Sequence, residues 1–368
     1  MNLEPTRCWA EIDRSALRHN AGVARAQVGA RVALMAVIKA NAYGHGLAAV
    51  AETLGDQVEL FGVANLEEAR EARAAVPKHP VLILGPALPS EREHIAAEGF
   101  IASVSSYEEA AAFDALRHTS PAALNLVVDT GMGRMGCAES DAVAMLARMQ
   151  MLSGVRVHSV STHLPVADEN AAFTVDQLQR FADLIREMQR RAPGDYQAHA
   201  LLSAGVLGFN RPPFDLVRAG LMLYGISPLP ELQHLLKPVL TLKSRIVLLR
   251  DLPAGATISY GSTYTTPRAM RVATVGAGYA DGYPRALSDR NAAVLVGGKR
   301  CAVLGRVTMD MIVIDVSSVP DSSLGDEVVL MGRQGNEEIL ATELAQKGNT
   351  IAWEIFTGIG MRVRRVYL

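Results

Sequence analysis

Cysteine is scarce. Cys8, Cys137 and Cys301 are the three in 368 residues, far apart and odd in number. No CxxC pair and no Cys/His spacing marks a zinc site, so no metal is expected, and a reducing, cytoplasmic setting fits best. An excess of charge is missing too. Lys and Arg total 36 against 38 Asp and Glu, and a chain without a basic surplus is a poor partner for nucleic acid. No apolar run approaches the ~20 residues that span a bilayer, so no membrane association is expected. The opening stretch, MNLEPTRCWAEIDRSALRHN, has no apolar core behind its charges and does not read as a signal peptide. Low-complexity tracts are absent as well.

What is present begins with Ala36-Val37-Ile38-Lys39-Ala40-Asn41-Ala42-Tyr43-Gly44-His45-Gly46. An apolar run from Val32 to Ile38 ends on a lysine, and a tyrosine follows four residues later. Burial lowers a lysine's pKa, and a lysine that loses its proton near neutral pH can form a Schiff base or act as a general base. A strand that ends at the surface with a solvated lysine is an equally good reading of this window alone.

The length allows two domains. From about residue 32 to 220, apolar runs alternate with helical patterns. The strand candidates are Val32–Lys39, Phe61–Asn65, Val81–Gly85, Ile101–Ser105, Leu124–Asp129, Val155–His163, Gln197–Ser203 and Phe214–Gly220. Between them, segments such as Asn65–Ala75, Ser106–Leu116 and Asn170–Arg191 carry helical spacing behind an Asn or Ser cap. The class is α/β. An open doubly wound sheet gives a similar pattern, but eight βα units favour closure into an N-terminal (β/α)8 TIM-type barrel. After Ser227-Pro228-Leu229-Pro230 the texture turns to β: Val239–Leu249, Arg271–Val275, Ala292–Val296, Ala302–Val307, Met311–Val316 and Glu327–Met331, separated by turns. The expected domains are a barrel over 11–238 and a mostly β C-terminal domain over 239–368, with residues 1–10 as an added strand.

Barrel enzymes build their reactive face at the C-terminal ends of the strands. Lys39 closes the first strand in this reading, Asp129 and the loop to Arg134 follow the fifth, His163 closes the sixth, Ser203 the seventh, and Arg218 and Gly220 the eighth. Each alone has a plain explanation: a core histidine, a surface arginine, a helix cap. Together on one rim they indicate a site. Small residues after the seventh and eighth strands, Ser203-Ala204-Gly205 and Ala219-Gly220-Leu221, suit phosphate. An imine lysine opposite a phosphate site suggests pyridoxal phosphate, although sugar-phosphate aldolases also place a Schiff-base lysine in a barrel.

At this point the chain resembles the alanine racemases, a family of barrel-type pyridoxal-phosphate enzymes. The motifs are VIKANAYGHG (37–46), DTGMGRMG (129–136), STH (161–163), VRAGLMLYG (217–225), SYGSTY (259–264), GAGYADGYPR (276–285) and GRVTMDM (305–311), in the family's order over nearly the whole chain. The resemblance implies interconversion of L- and D-alanine, serving D-alanine biosynthesis for the cell wall or D-alanine degradation. It implies that Lys39 holds the cofactor through an imine and is one of two catalytic bases. The other is Tyr260, not Tyr264, supplied across a homodimer. Arg134 and the backbone at Met309, the latter also from the second chain, bind the substrate carboxylate. Tyr43, Ser203, Gly220 and Leu221 match phosphate-holding positions. Arg218 faces the pyridine nitrogen, His163 orients Arg218 near the cofactor, and Tyr279 matches a residue at the substrate entrance.

Two positions depart from the pattern. Members of the family often carry a carbamylated lysine seven residues before the DTGMGR arginine. Val127 stands there, with Asn125 nearby as a candidate substitute. A Tyr-Glu pair near the C-terminus, whose tyrosine touches the phosphate, is Trp353-Glu354 here. Indole N–H donates one hydrogen bond and accepts none. Among related readings, basic amino-acid decarboxylases carry a cysteine-and-acid motif that Cys301-Ala302-Val303-Leu304 does not resemble. Broad-specificity racemases of this fold are often exported. Non-catalytic pyridoxal-phosphate carriers lack the β domain.

Overall fold

The computed structural model describes residues 6–116, 118–208 and 214–368, and the chain divides into two compact units. One comprises Leu17–Ala42 and Leu47–Leu236; the other comprises the N-terminal segment to Ala16, Tyr43–Gly46 and Lys237–Leu368.

The first unit is a closed parallel barrel. Its strands in chain order are Ala33–Val37, Leu60–Val63, Val81–Pro86, Ile101–Val104, Ala122–Asp129, Val155–Ser161, Gln197–Leu202 and Leu216–Ala219. Each pairs with the next, and the eighth returns to the first through Leu216↔Ala33 to Ala219↔Ala36. Strands covered on both faces read as continuous apolar runs, and Leu60–Val63 and Ile101–Val104 are buried throughout. Closure rather than an open sheet is what eight repeated βα units favoured.

The helices start where side-chain caps allow. Asn65, Ser106 and Asn170 each accept the backbone N–H three residues on, at the heads of Leu66–Ala75, Tyr107–Asp114 and Ala171–Arg191. Several strands stop short of the sequence expectation. The first ends at Val37, before Lys39, and the sixth at Ser161, before His163. The reason is local: Ala40, Asn41, Ala42 and Tyr43 all take left-handed backbone angles, with φ of 51–53°. Lys39 therefore heads a left-handed turn instead of closing a strand.

The second unit is mostly β. Strands Leu240–Leu252, Met270–Val275, Ile312–Asp315, Lys299–Leu304, Ala293–Val296 and Glu327–Gln334 are joined in that order, and the last pairs back onto the first. Cys8–Ile12 adds antiparallel to Leu240–Leu252, and Arg364–Tyr367 lies parallel to Cys8–Ile12. The long strand begins Leu240-Thr241-Leu242-Lys243-Ser244-Arg245-Ile246, with every second side chain buried. The strand expected over Ala302–Val307 is Lys299–Leu304; it stops at Gly305, whose φ of 65° turns the chain. Among the described residues no helix is long and apolar enough to cross a membrane, and no group of three or more His, Cys, Asp or Glu is placed to hold a metal ion. All three cysteines are buried and free.

Candidate active site

The C-terminal rim of the barrel gathers Lys39, Arg134, His163 and Arg218. Their mutual influence is visible in their basicity. Burial lowers the Lys39 amine, and the charges of Arg134 and Arg218 lower it further, with Glu68 opposing. His163 is pushed down to about 3 by burial, then by Arg218, Arg134 and Lys39. Arg218 is pushed down to about 10, first by burial and then by Arg134. Arg134 and Arg218 disfavour charge on Lys39 and His163, and a rim of this kind suits an anion.

Lys39 is placed by its neighbours. Tyr224 donates its hydroxyl to the Val37 carbonyl at 2.9 Å, fixing the end of the first strand. Glu68 receives the Ala40 N–H at 2.7 Å and the Ala64 N–H at 2.8 Å, tying the turn to the end of the second strand. Asn41 accepts the Leu47 N–H at 2.9 Å, and Ala42 N–H returns to the Ile38 carbonyl at 2.8 Å. Sequence reasoning missed Glu68. Its signal was the Asn65-to-Glu68 spacing of a capping box.

Arg218 is buried and fully engaged. One terminal nitrogen lies 2.7 Å from His199 Nδ1; the other donates to the carbonyls of Thr162 at 2.6 Å and Ala200 at 3.0 Å. His163 Nδ1 stands farther off, at 3.5 Å from the same nitrogen. The main side-chain partner of Arg218 is thus His199, which the sequence reading overlooked. A histidine in Gln197-Ala198-His199-Ala200-Leu201-Leu202 was the available signal, since the strand is otherwise apolar beyond its first residue. Arginine always donates, so His199 Nδ1 accepts and the imidazole is neutral, in keeping with burial and Arg218, which hold it well below the usual histidine range. No carboxylate touches Arg218 among its described contacts.

Ser203 Oγ accepts the N–H of Gly220 at 3.0 Å and of Met222 at 3.3 Å, which leaves its own proton to donate outward. Arg134 is exposed at the end of a loop held by Asp129, whose carboxylate takes the N–H groups of Gly131, Met132 and Gly133 at 2.9, 2.8 and 3.0 Å. Burial opposes ionisation of Asp129, but these donors hold its carboxyl below the usual range. Beneath the loop, Thr130 meets Thr162 at 2.6 Å and receives Gln177 Nε2 at 2.7 Å, while Arg180 donates to the Thr130 carbonyl at 2.9 Å.

Val127 is buried, and Asn125 does not act in its place. The Asn125 amide donates to Ser103 and Ser161 at 3.1 and 3.0 Å and accepts from Ser159 at 2.9 Å, so its hydrogen-bonding capacity is committed inside the barrel.

In the β unit, Trp353 hydrogen-bonds the Tyr43 side chain, and burial raises the Tyr43 hydroxyl to about 12. Because indole only donates, the Tyr43 oxygen accepts from Trp353. Tyr260 is 72% exposed in a bend where Ser259 and Gly261 have φ of 65° and 73°. Tyr264, by contrast, is partly buried, with its hydroxyl 3.8 Å from Met270 sulfur. Tyr279 and Met309 are both exposed and share one backbone connection: Tyr279 N–H donates to Thr308 and Ala280 N–H to Met309, each at 3.0 Å. A Cβ on Gly278 would lie 2.2 Å from the Thr308 carbonyl oxygen, so only glycine permits this approach.

The fold defines a TIM-type barrel enzyme, with a lysine, two arginines and a histidine gathered on its C-terminal rim. The alanine racemase N-terminal domain family matches residues 12–228, and the alanine racemase C-terminal domain family matches residues 239–367. An alanine racemase of Halothermothrix orenii is 41% identical over all of this chain and 98% of its own length. Among solved structures, alanine racemase from the D-cycloserine producer Streptomyces lavendulae is 38% identical with a TM-score of 0.90, covering 99% of this chain and 98% of that one. The Bartonella henselae alanine racemase with covalently bound pyridoxal phosphate is 27% identical with a TM-score of 0.89, covering 99% and 100%. The chain belongs to the alanine racemase family and is an isomerase.

Proposed function

We propose that the chain is a pyridoxal-phosphate-dependent alanine racemase. It interconverts L- and D-alanine in the cytoplasm, for cell-wall synthesis or for D-alanine degradation. The observation that carries this reading is the rim where Lys39, Arg134 and Arg218 gather beside a neutral His163. A cofactor phosphate and a substrate carboxylate are anions that such a rim suits. The three free cysteines accord with a reducing compartment.

The donor set fits pyridoxal phosphate. Ser203, whose oxygen accepts from Gly220 and Met222, has a hydroxyl proton to donate, and Tyr43 brings a phenol that accepts from Trp353. With Gly220 and Leu221 these residues would hold the phosphate, while Lys39 would hold the aldehyde carbon and His163 would lie near the ring. When bound, the group supplies an electron sink that makes the alanine Cα–H acidic.

The remaining chemistry belongs to the protein. Lys39, lowered in basicity by burial and two arginines, is able to shed its proton and take one from Cα on its own side. The opposite face needs a second base, which we assign to Tyr260 of the partner subunit; its 72% exposure accords with use by a second chain. Arg134 and the backbone at Met309 of the partner subunit would hold the substrate carboxylate, and Tyr279 would line the entrance. Arg218, engaged by His199 and backbone carbonyls, puts a positive charge where a carboxylate would stabilise ring protonation. It therefore disfavours a protonated ring nitrogen and limits side reactions. In this proposal the barrel domain (11–238) binds the cofactor and the β domain (239–368 with strand 1–10) completes the other chain's site.

The test is the optical rotation of L-alanine incubated with the purified protein and pyridoxal phosphate. Decay to zero, abolished by Lys39→Ala, is expected. A flat trace with cofactor bound to Lys39 would refute the activity while leaving the cofactor assignment intact.

A further inference from the structure

The barrel has a second cationic feature, at the N-terminal ends of its strands. A cleft of about 290 Å³ is lined by Arg73, Lys78, His79, Arg156 and His158 together with Pro80. Pro80 directly precedes the third strand, and Arg156 is the second residue of the sixth. This is the face remote from Lys39, where barrels normally carry stabilising rather than functional groups. Lys78 and Arg156 are exposed and Arg73 is partly buried, so the cluster presents its charge at the surface.

Among the described residues, none of Arg73, Lys78 and Arg156 forms an ion pair. Glu98, the acid that feels Arg73, is held by Arg70 at 2.5 Å. Among the described residues, no acidic side chain lines the cleft. Arg73 is held flat, its guanidinium carbon 4.9 Å from the Phe100 ring centroid, with one terminal nitrogen on the Glu98 carbonyl at 3.3 Å. Its guanidinium is a planar donor of the kind that suits an oxyanion. The cleft's volume lies at the lower end of the range for ligand sites, which restricts the occupant to a small molecule.

We propose that this cleft is a second anion site that binds a phosphoryl dianion, either free phosphate or the phosphate of a small monoester. Arg73, Lys78 and Arg156 supply the charge. The site is separate from the cofactor's phosphate position and does not depend on the racemase reading.

Inorganic phosphate is titrated calorimetrically into protein saturated with pyridoxal phosphate, at constant ionic strength set with chloride. Prior saturation keeps the cofactor's own phosphate position from contributing. One saturable site per chain is expected, weakened at least tenfold by Lys78→Ala with Arg156→Ala, while racemisation without phosphate is unchanged. Arg156→Lys should retain most of the binding, which separates charge from folding defects. Glycerol phosphate run in parallel identifies the source: tighter binding than phosphate assigns a monoester, and equal or weaker binding assigns the free ion. The absence of saturable binding, or binding unaltered in the double variant, overturns the proposal.

Discussion

Burial is the largest influence on the Lys39 amine and two arginines add to it, a contribution that can be measured apart from turnover. Removing a neighbouring cation eases protonation, so Arg134→Gln should raise the Lys39 pKa. The rate at which cofactor-free protein captures pyridoxal phosphate then shifts its pH limb upward. An unshifted limb would mean that Arg134 does not act on the amine. His199 gives a second test. Its folded-state pKa lies well below the value of about 6.5 expected when unfolded. Its contribution to stability is therefore full above pH 6.5 and is lost as pH falls below that value, because the unfolded chain takes the proton first. His199→Asn keeps an acceptor for Arg218 without a titrating group. It should flatten the decline in denaturant stability between pH 6.5 and 4; a slope equal to the parent's would contradict this. At this scale the sequence disclosed Lys39 and Arg218 because a charge stood at the end of an apolar run. His199 and Glu68 stayed hidden because their meaning lies in partners distant along the chain.

The loop from Asp129 to Arg134 acts as one piece. Three N–H groups converge on a single carboxylate, and the arginine at the end of the loop has no other described side-chain anchor. Asp129→Ala removes all three bonds, each worth about 1.5–3 kcal/mol for a charged acceptor but partly recovered by water. The expected result is at least a tenfold rise in the KM for alanine, with global melting changed by only a few degrees. An unchanged KM would show that the loop is held otherwise. Elements were the most legible level of the sequence. The caps at Asn65, Ser106 and Asn170 and the apolar strands are local signals, and the structure keeps them. Boundaries shifted where a local positive-φ turn decided: Gly305 cut one strand short, and the left-handed turn ended another before its lysine.

For the whole molecule, barrel closure was legible from the number of units. The proposal of a site shared between chains comes only from family motifs, since Tyr260 and Met309 carry no local mark beyond their exposure. If the two bases come from different chains, mixing inactive Lys39→Ala and Tyr260→Phe proteins should restore activity. Each mixed dimer holds one intact site of two, so a statistical mixture recovers about a quarter of parental activity. No recovery after demonstrated subunit exchange would place both bases in one chain.

The turn after Lys39 has a further meaning. A left-handed helical conformation costs an L-residue roughly 1–2 kcal/mol, and here non-glycine residues adopt it in succession from Ala40 to Tyr43. Its shape is imposed by Tyr224, Glu68 and the Asn41 contact to Leu47. The string Val37-Ile38-Lys39-Ala40-Asn41-Ala42-Tyr43 is therefore not a portable device. Grafted into another barrel without those supports, it would carry the spelling of the motif and leave its geometry behind.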